Sequence, residues 1–167
     1  VKGVTISTSI PGESVDWNAG GIKLVGTDES TQKQYRVIGV DYDYMKLYGI
    51  KLIAGRTFSK DYGSDDHAVI FTKKGFEQLG LNKPEEAVGK KIDFWGEQYT
   101  IVGIAKDFHQ QSLRESFEPL IFRLIPDVKG YLSVKTSPSN VKQTIAQVKA
   151  NWNKFFPGNT FEYFFLD

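Results

Sequence analysis

Apolar and polar residues alternate along most of this chain. Runs at 4–9 (VTISTS), 22–27 (IKLVGT), 34–40 (QYRVIGV), 68–72 (AVIFT), 91–96 (KIDFWG), 98–105 (QYTIVGIA), 119–125 (PLIFRLI), 131–136 (YLSVKT) and 161–166 (FEYFFL) are rich in β-branched and aromatic residues and bounded by Gly, Pro, Asn or Asp. Each predicts a strand, because such side chains fit a pleated, half-buried surface and the bounding residues fit turns. Gly96-Glu97 lies between two of these runs and predicts a tight hairpin over 91–105, with Gly96 free to take the positive φ such turns need. One segment changes period. Val141, Ile145, Val148, Trp152 and Phe155 fall at offsets 0, 4, 7, 11 and 14, a single stripe of a 3.6-residue helix over 138–156. Ser137 or Ser139 can cap it, Pro138 suits its first turn, and Pro157-Gly158 stops it. The stripe is expected to lie on a sheet made with 131–136 and 161–166, as a right-handed strand–helix–strand unit. Shorter helices are expected at 42–49, ending on a left-handed Gly49, at 73–80, and as one turn at 84–89. The order of elements predicts an α+β fold.

Composition narrows the class. At 167 residues the chain can bury a real core. With 21 basic and 20 acidic residues there is no whole-chain field to draw in nucleic acid. The absence of Cys excludes disulfides, thiolate metal sites and a Cys nucleophile, and leaves the compartment open. No window approaches the ~20 consecutive apolar residues of a membrane span. The start at Val1, without initiator Met or signal-peptide regions, reads as a piece of something longer.

Motifs for chemistry are sparse. Ser-x-x-Lys occurs at Ser30–Lys33 and Ser139–Lys142, but no Ser-Asp-Asn accompanies it, and Lys135-Thr136-Ser137 precedes the second serine instead of following it. The run DYDYMKLYGIKL begins like a calcium loop yet has Met45, Lys46 and Leu52 at its fifth, sixth and twelfth positions; it reads as a helix start with aspartates near the positive end of the dipole. No Gly-x-Gly occurs among the 16 glycines, so there is neither dinucleotide fingerprint nor Walker loop. His67 and His109 are the only histidines, 42 residues apart, and read as loop residues at strand ends. Asp65 and Asp66 read as a polar loop, with a carboxylate available to cap a neighbour. Trp17, Trp95 and Trp152 include a candidate binding aromatic. Lys142, Lys149 and Lys154 give the 138–156 helix a basic face with no acid, either simply solvated or docking an acidic partner or lipid headgroups. The densest set of reactive types is Lys106, Asp107 and His109, where the 98–105 strand ends. Together with a nearby aromatic it would serve a free-standing extracytoplasmic ligand-binding or hydrolytic domain. As a corner instead, Asp107 accepts amides of the link before Leu113, Phe108 is buried under the crossing, and His109 is largely exposed.

Several spaced segments carry a resemblance. VDYDYMKLYGIKLIAGRTFSKD, AVIFTKKGFEQLGLNKPEEAVGKKI, YTIVGIAKDFHQQSLRESFEPLIF and the final YLSVKT…FEYFFLD resemble, in order, the extracytoplasmic core domain of MacB/FtsX-like ABC transporter permeases. The most specific pieces are Gly55-Arg56-x-Phe58, the 79–90 segment containing Gly89, and the run through Gly103, Lys106, Asp107, Phe108, His109, Ser112 and Leu113, with Pro119 beyond. FTKKG departs from the family, which commonly has an Asn-Glu pair there, and the strand–helix unit that usually precedes VKGVTIS is missing, so an N-terminally truncated copy is expected. The resemblance implies a porter-like lobe split between 1–60 and 128–167, with a strand-rich, sabre-like lobe inserted at 61–127. It implies a domain on the periplasmic side of the bacterial inner membrane, with no enzymatic activity and no cofactor. It also implies as partners the transmembrane helices of its own full-length chain, a second permease copy, a cytoplasmic ATPase acting indirectly, and a periplasmic adaptor or lipoprotein. The signature residues are then expected to be structural.

Overall fold

The computed structural model describes residues 1–28, 33–110 and 116–166. Its first part runs β1 (Gly3–Ser7), β2 (Asn18–Gly20), β3 (Lys23–Leu24), β4 (Gln34–Val40), α1 (Tyr44–Tyr48) and β5 (Leu52–Gly55). A middle part follows with β6 (Ala68–Thr72), α2 (Lys73–Gln78), α3 (Pro84–Ala87), β7 (Lys91–Phe94), β8 (Glu97–Ala105) and β9 (Leu120–Leu124). The last elements are β10 (Tyr131–Lys135) and α4 (Val141–Phe155). The fold is α+β. Among the described residues all ten strands belong to one sheet, in the order β10-β1-β4-β9-β6-β8-β7-β3, with β2 added to β4 and β5 to β8. β4–β9 and β6–β8 pair parallel, and the remaining neighbours antiparallel.

The central strands are buried on both faces, so their sequences run apolar without a break, as AVIFT does at β6. Successive side chains point to opposite faces. Tyr35, Val37, Val69, Phe71 and Ile121 therefore build one core with Phe76 of α2 and Ala87 of α3. Ile38, Val40, Ile70, Leu120 and Phe122 build the other with Tyr44 and Met45 of α1. Among the described residues no helix is long and apolar enough to cross a membrane.

The structure corrects several expectations. The 22–27 run forms a strand only at β3, while β2 and β5 were not foreseen. The hairpin turn lies one residue earlier than expected. Trp95 and Gly96 take φ of 56° and 89°, and Glu97 already belongs to β8. Residues 161–166 form no strand, so the expected strand–helix–strand unit is absent. Among the described residues no backbone hydrogen bond joins that segment to β10, whose ladder is with β1 alone. α4 is correspondingly shallow: Thr144 is its one buried residue, and Val141, Ile145, Val148 and Trp152 are half-buried. Neither Ser137 nor Ser139 caps it. A 3-10 turn over Pro138–Asn140 intervenes, α4 starts at Asn140 without a side-chain cap, and the two serine hydroxyls face each other at 3.3 Å.

Depth therefore ranks two large truncations. Phe122→Ala, at a fully buried position, is expected to lose ~3–5 kcal/mol. Trp152→Ala is expected to lose only ~1–2 kcal/mol. Urea denaturation of both variants checks this, and equal losses would contradict the shallow packing of α4.

Candidate functional site

The signature segments meet backbone to backbone. β5 pairs antiparallel with β8 so that Gly55 lies opposite Gly103, just past a register shift between Leu52 and Ala54. Gly55 has φ +73°, and a Cβ there would stand 2.2 Å from the carbonyl oxygen of Val102. A Cβ on Gly103 would stand 2.4 Å from the carbonyl oxygen of Arg56. The Arg56 amide donates to Val102 O at 2.9 Å, closing the crossing. Side chains are excluded on both strands here by space, and at Gly55 also by the left-handed conformation.

Beyond the crossing the chain is clasped. The Arg56 guanidinium donates twice to Asp65, Nη1 to Oδ2 at 2.8 Å and Nη2 to Oδ1 at 2.7 Å, and the Ser59 amide adds a third bond at 2.9 Å. The Tyr62 ring stacks 3.7 Å from the guanidinium carbon, and Phe58 is buried beside the α1 core. Asp65 is 1% exposed and turned inward from a segment whose neighbours Ser64 and Asp66 are exposed, and its carboxylate caps the Ser59 amide. Burial alone would raise its carboxyl, but the Arg56 fork and the Ser59 amide outweigh burial and hold it below the usual carboxylate range. Sequence reasoning placed Arg56 and left Asp65 ambiguous, because adjacent Asp65 and Asp66 carry no sign of which turns inward.

Of the remaining described signature residues, some hold backbone and others pack on rings. Gly89, at φ +88° after α3, donates its amide to Ile101 O at 2.8 Å, and Pro119 accepts from the Arg36 amide at 3.0 Å. Lys106 is exposed, with its amide on Lys51 O at 2.8 Å. Asp107 accepts from the amide of Lys74 at 2.8 Å, in the first turn of α2; the link before Leu113, where its partners were expected, lies largely outside the described residues. Asp107 thereby joins Thr72, whose Oγ1 caps the Gly75 amide, in satisfying donors that a helix start leaves open. Phe108 is half-buried and stacks on Phe122, with ring centroids 6.3 Å apart. His109 is half-buried against Phe117 at 4.5 Å, where exposure was expected. Gln110, unnoticed in the sequence, is buried and donates to Ile10 O at 2.7 Å, tying the corner to the loop after β1. Ser112 and Leu113 lie outside the described residues, as does Ser30 of the first Ser-x-x-Lys.

Asp107 and His109 thus face different neighbours, an amide and a ring. His67 is separate from both, 3.2 Å from Asp66 and stacked on Tyr99. Among the described residues no three of His, Asp and Glu gather where they could hold a metal ion. Lys142, Lys149 and Lys154 are all exposed on α4. A second cluster escaped the sequence: the Arg123 guanidinium lies 4.6–5.5 Å from the ring centres of Tyr99, Phe94 and Trp17, and Nη2 donates to Tyr99 Oη at 2.5 Å. These groups come from β9, β8, β7 and the segment before β2, which only the fold brings together.

The sequence model of the family described as MacB-like periplasmic core domain matches residues 4–151. Among solved structures, the periplasmic region of MacB from Actinobacillus actinomycetemcomitans is similar to 92% of this chain with a TM-score of 0.58 at 15% identity, over 68% of its own length. The extracellular domain of YknZ, a noncanonic ABC-type transporter from Gram-positive bacteria, is similar to 93% of this chain with a TM-score of 0.63 at 20% identity, over 76% of its length. At these identities the structures establish the fold. No curated protein sequence matches.

Asp65→Asn is expected to lose ~1.5–3 kcal/mol near neutral pH, since a hydrogen-bonded charge is replaced by a neutral amide. Because the folded carboxyl is held below its unfolded value, the stabilisation is complete above about pH 4 and disappears as pH falls through the folded value. The gap between wild type and Asp65→Asn should therefore close on acidification in urea titrations; a gap independent of pH would contradict the clasp.

At the corner, Asp107→Asn keeps an acceptor and is expected to be nearly neutral, whereas Asp107→Ala loses ~0.5–2 kcal/mol, as helix caps do. His109→Gln is expected to cost ~1 kcal/mol through lost ring packing. Melting temperatures for the three variants, measured beside function, test this. A fully stable but inactive Asp107→Asn protein would overturn the corner.

Proposed function

Because this chain belongs to the MacB-like periplasmic core domain family, we propose that it is the extracytoplasmic domain of an ABC transporter permease on the periplasmic side of the bacterial inner membrane. In this role it is joined to transmembrane helices of its own full-length chain, pairs with a second permease copy, and passes on the motion of a cytoplasmic ATPase. A periplasmic adaptor or lipoprotein, or the substrate, receives that motion. The observation that carries the reading is the family match over residues 4–151.

Two features of the chain support a mechanical role over an enzymatic one. Two charged signature residues are engaged in holding the chain: Arg56 in the clasp with Asp65, and Asp107 at the start of α2. β8 is also hydrogen-bonded to β5, β6 and β7, so that hairpin, clasp and central sheet are linked. We assign 1–60 and 128–167 to a porter-like lobe and 61–127 to a sabre-like one. In favour is the five-residue β1–β10 ladder, which runs from Gly3↔Lys135 to Ser7↔Tyr131 and joins the two outer parts. Lys142, Lys149 and Lys154 are the candidate docking face for an acidic partner.

The test uses the full-length permease reconstituted with its ATPase. This chain contains no cysteine, so a spin label on Glu85→Cys, exposed on α3, reports from this domain if the remaining cysteines are removed. The distance between labels in the two permease copies is expected to shift between the nucleotide-free and ATP-trapped states. An unchanged distance during active transport would refute the mechanical role.

A further inference from the structure

We propose that Arg123 and the rings around it bind an aromatic monocarboxylate, a small acid whose charge meets the guanidinium and whose ring lies on an indole. The guanidinium carbon is 4.6 Å from the ring centre of Tyr99, 4.9 Å from that of Phe94 and 5.5 Å from that of Trp17. Rings pack on the flat faces of a guanidinium, so hydrogen bonding is left to its N–H edges. One such bond is made. Nη2 donates to Tyr99 Oη at 2.5 Å, and that hydroxyl donates onward to Glu97 Oε2 at 2.8 Å. Among the described residues Nε is enclosed without an acceptor, Nη1 meets none, and no carboxylate stands within ion-pair distance of the group.

A half-buried cation is seldom left in this state. Taking Arg out of water costs stability unless its charge is paired and its donors are bonded. Arg36 and Arg56 follow that rule, the first on Glu118 at 3.2 Å and the second on Asp65 at 2.7 Å. Arg123 has three rings and a hydroxyl instead. Its guanidinium is thereby fixed before any ligand arrives, which spares the ordering cost that a free side chain would incur on binding. With Nε closed off, an acid must approach end-on, across Nη1 and the second N–H of Nη2. A carboxylate has the two oxygens to match that fork.

Glu97 sets the charge that the ligand carries. It is exposed and reaches the guanidinium only through the Tyr99 hydroxyl, so it offsets the cation in part and repels a dianion more than a monoanion. The indoles set the rest. Trp17 packs on Phe94 with ring centres 6.2 Å apart, and Trp95 meets the same Phe94 from the hairpin turn at 5.2 Å. Trp95 is 60% exposed, holds a φ of 56° that bulky residues rarely adopt, and has its N–H tied to Gly20 O at 2.9 Å. An anchored, exposed indole next to the ring that flanks the cation offers a flat apolar surface to a second ring. None of these residues belongs to the clasp or the corner that support the transporter reading, so binding here stands or falls apart from it.

Titration of the purified chain with sodium phenylacetate at constant ionic strength, followed by the tryptophan indole N–H signals in nuclear magnetic resonance spectra, tests this. Saturable shifts are expected at Trp17 and Trp95, with Trp152 of α4 unmoved. Phenylacetamide, which keeps the ring without the charge, and inorganic phosphate should each bind at least tenfold more weakly. Arg123→Lys, which keeps the charge without the fork, should lose at least tenfold in affinity. Glu97→Gln, at an exposed position and still an acceptor for Tyr99, should gain about threefold as the repulsion is removed. Trp17 and Trp95 signals that do not move, shifts that Trp152 shares, equal binding of the amide or of phosphate, or unchanged affinity in either variant would each overturn the proposal.

Discussion

Two polypeptide backbones approach only as closely as their side chains permit, and this fold turns on one place where both sides have given theirs up. Gly55 and Gly103 stand opposite each other where the second edge of β8 passes from β7 to β5. β8 pairs β7 through Glu97–Thr100, pairs β5 at Gly103–Ala105, and keeps β6 on its other edge over most of that length. The handover needs β5 to swing in tightly, which two Cβ atoms would forbid. The Arg56–Asp65 clasp then fixes the chain leaving β5 to the residues just before β6. Glycine crossing and ionic clasp thus act in series: the first sets the approach, and the second sets the direction of departure.

Closeness at that point has consequences for both cores. Because β6 and β9 lie inside the sheet, both of their faces must be covered. α2 and α3 cover one, and α1 with Phe58 covers the other. Phe58 reaches its place because Arg56, two residues earlier, is already held. Asp107 acts on the opposite face of the same arrangement, holding the start of α2 against the end of β8. Away from this centre the coverage fails. β10 and α4 bury little, and among the described residues no ion pair like the clasp anchors them.

That contrast also explains what was legible in the sequence. β4 and β6 matched the predicted 34–40 and 68–72 to the residue, because long apolar runs with sharp turn boundaries leave one solution. β2 and β5, at three and four residues, are too short to show a period. The FEYFFL run alternates as a strand should, yet alternation specifies only which face turns inward; a strand exists only where a neighbour completes its ladder. Trp95 displaced the predicted turn because an L-residue with a bulky side chain is an unexpected occupant of positive φ, and its indole N–H, bonded to Gly20 O at 2.9 Å, shows what holds it there. Of the site, the signature glycines and Arg56 could be read from the chain, whereas Asp65, Gln110 and the rings around Arg123 depend on contacts between distant segments.

Lys106, Asp107 and His109 illustrate why proximity in sequence says little about chemistry. Within a strand, positions 107 and 109 would share a face and could cooperate on one substrate. β8 ends at Ala105, however, and past that point each residue is oriented by its own neighbour. Asp107 turns to the Lys74 amide, Phe108 to Phe122, His109 to Phe117 and Gln110 to Ile10. Four successive side chains bind four separate parts of the fold. Held by an amide on one side and a ring on the other, the acid and the base fix the direction in which the chain leaves the sheet. The composition that resembles a catalytic cluster is what a corner requires: an acceptor for a helix start, a ring for the core, and a planar polar side chain to close the loop.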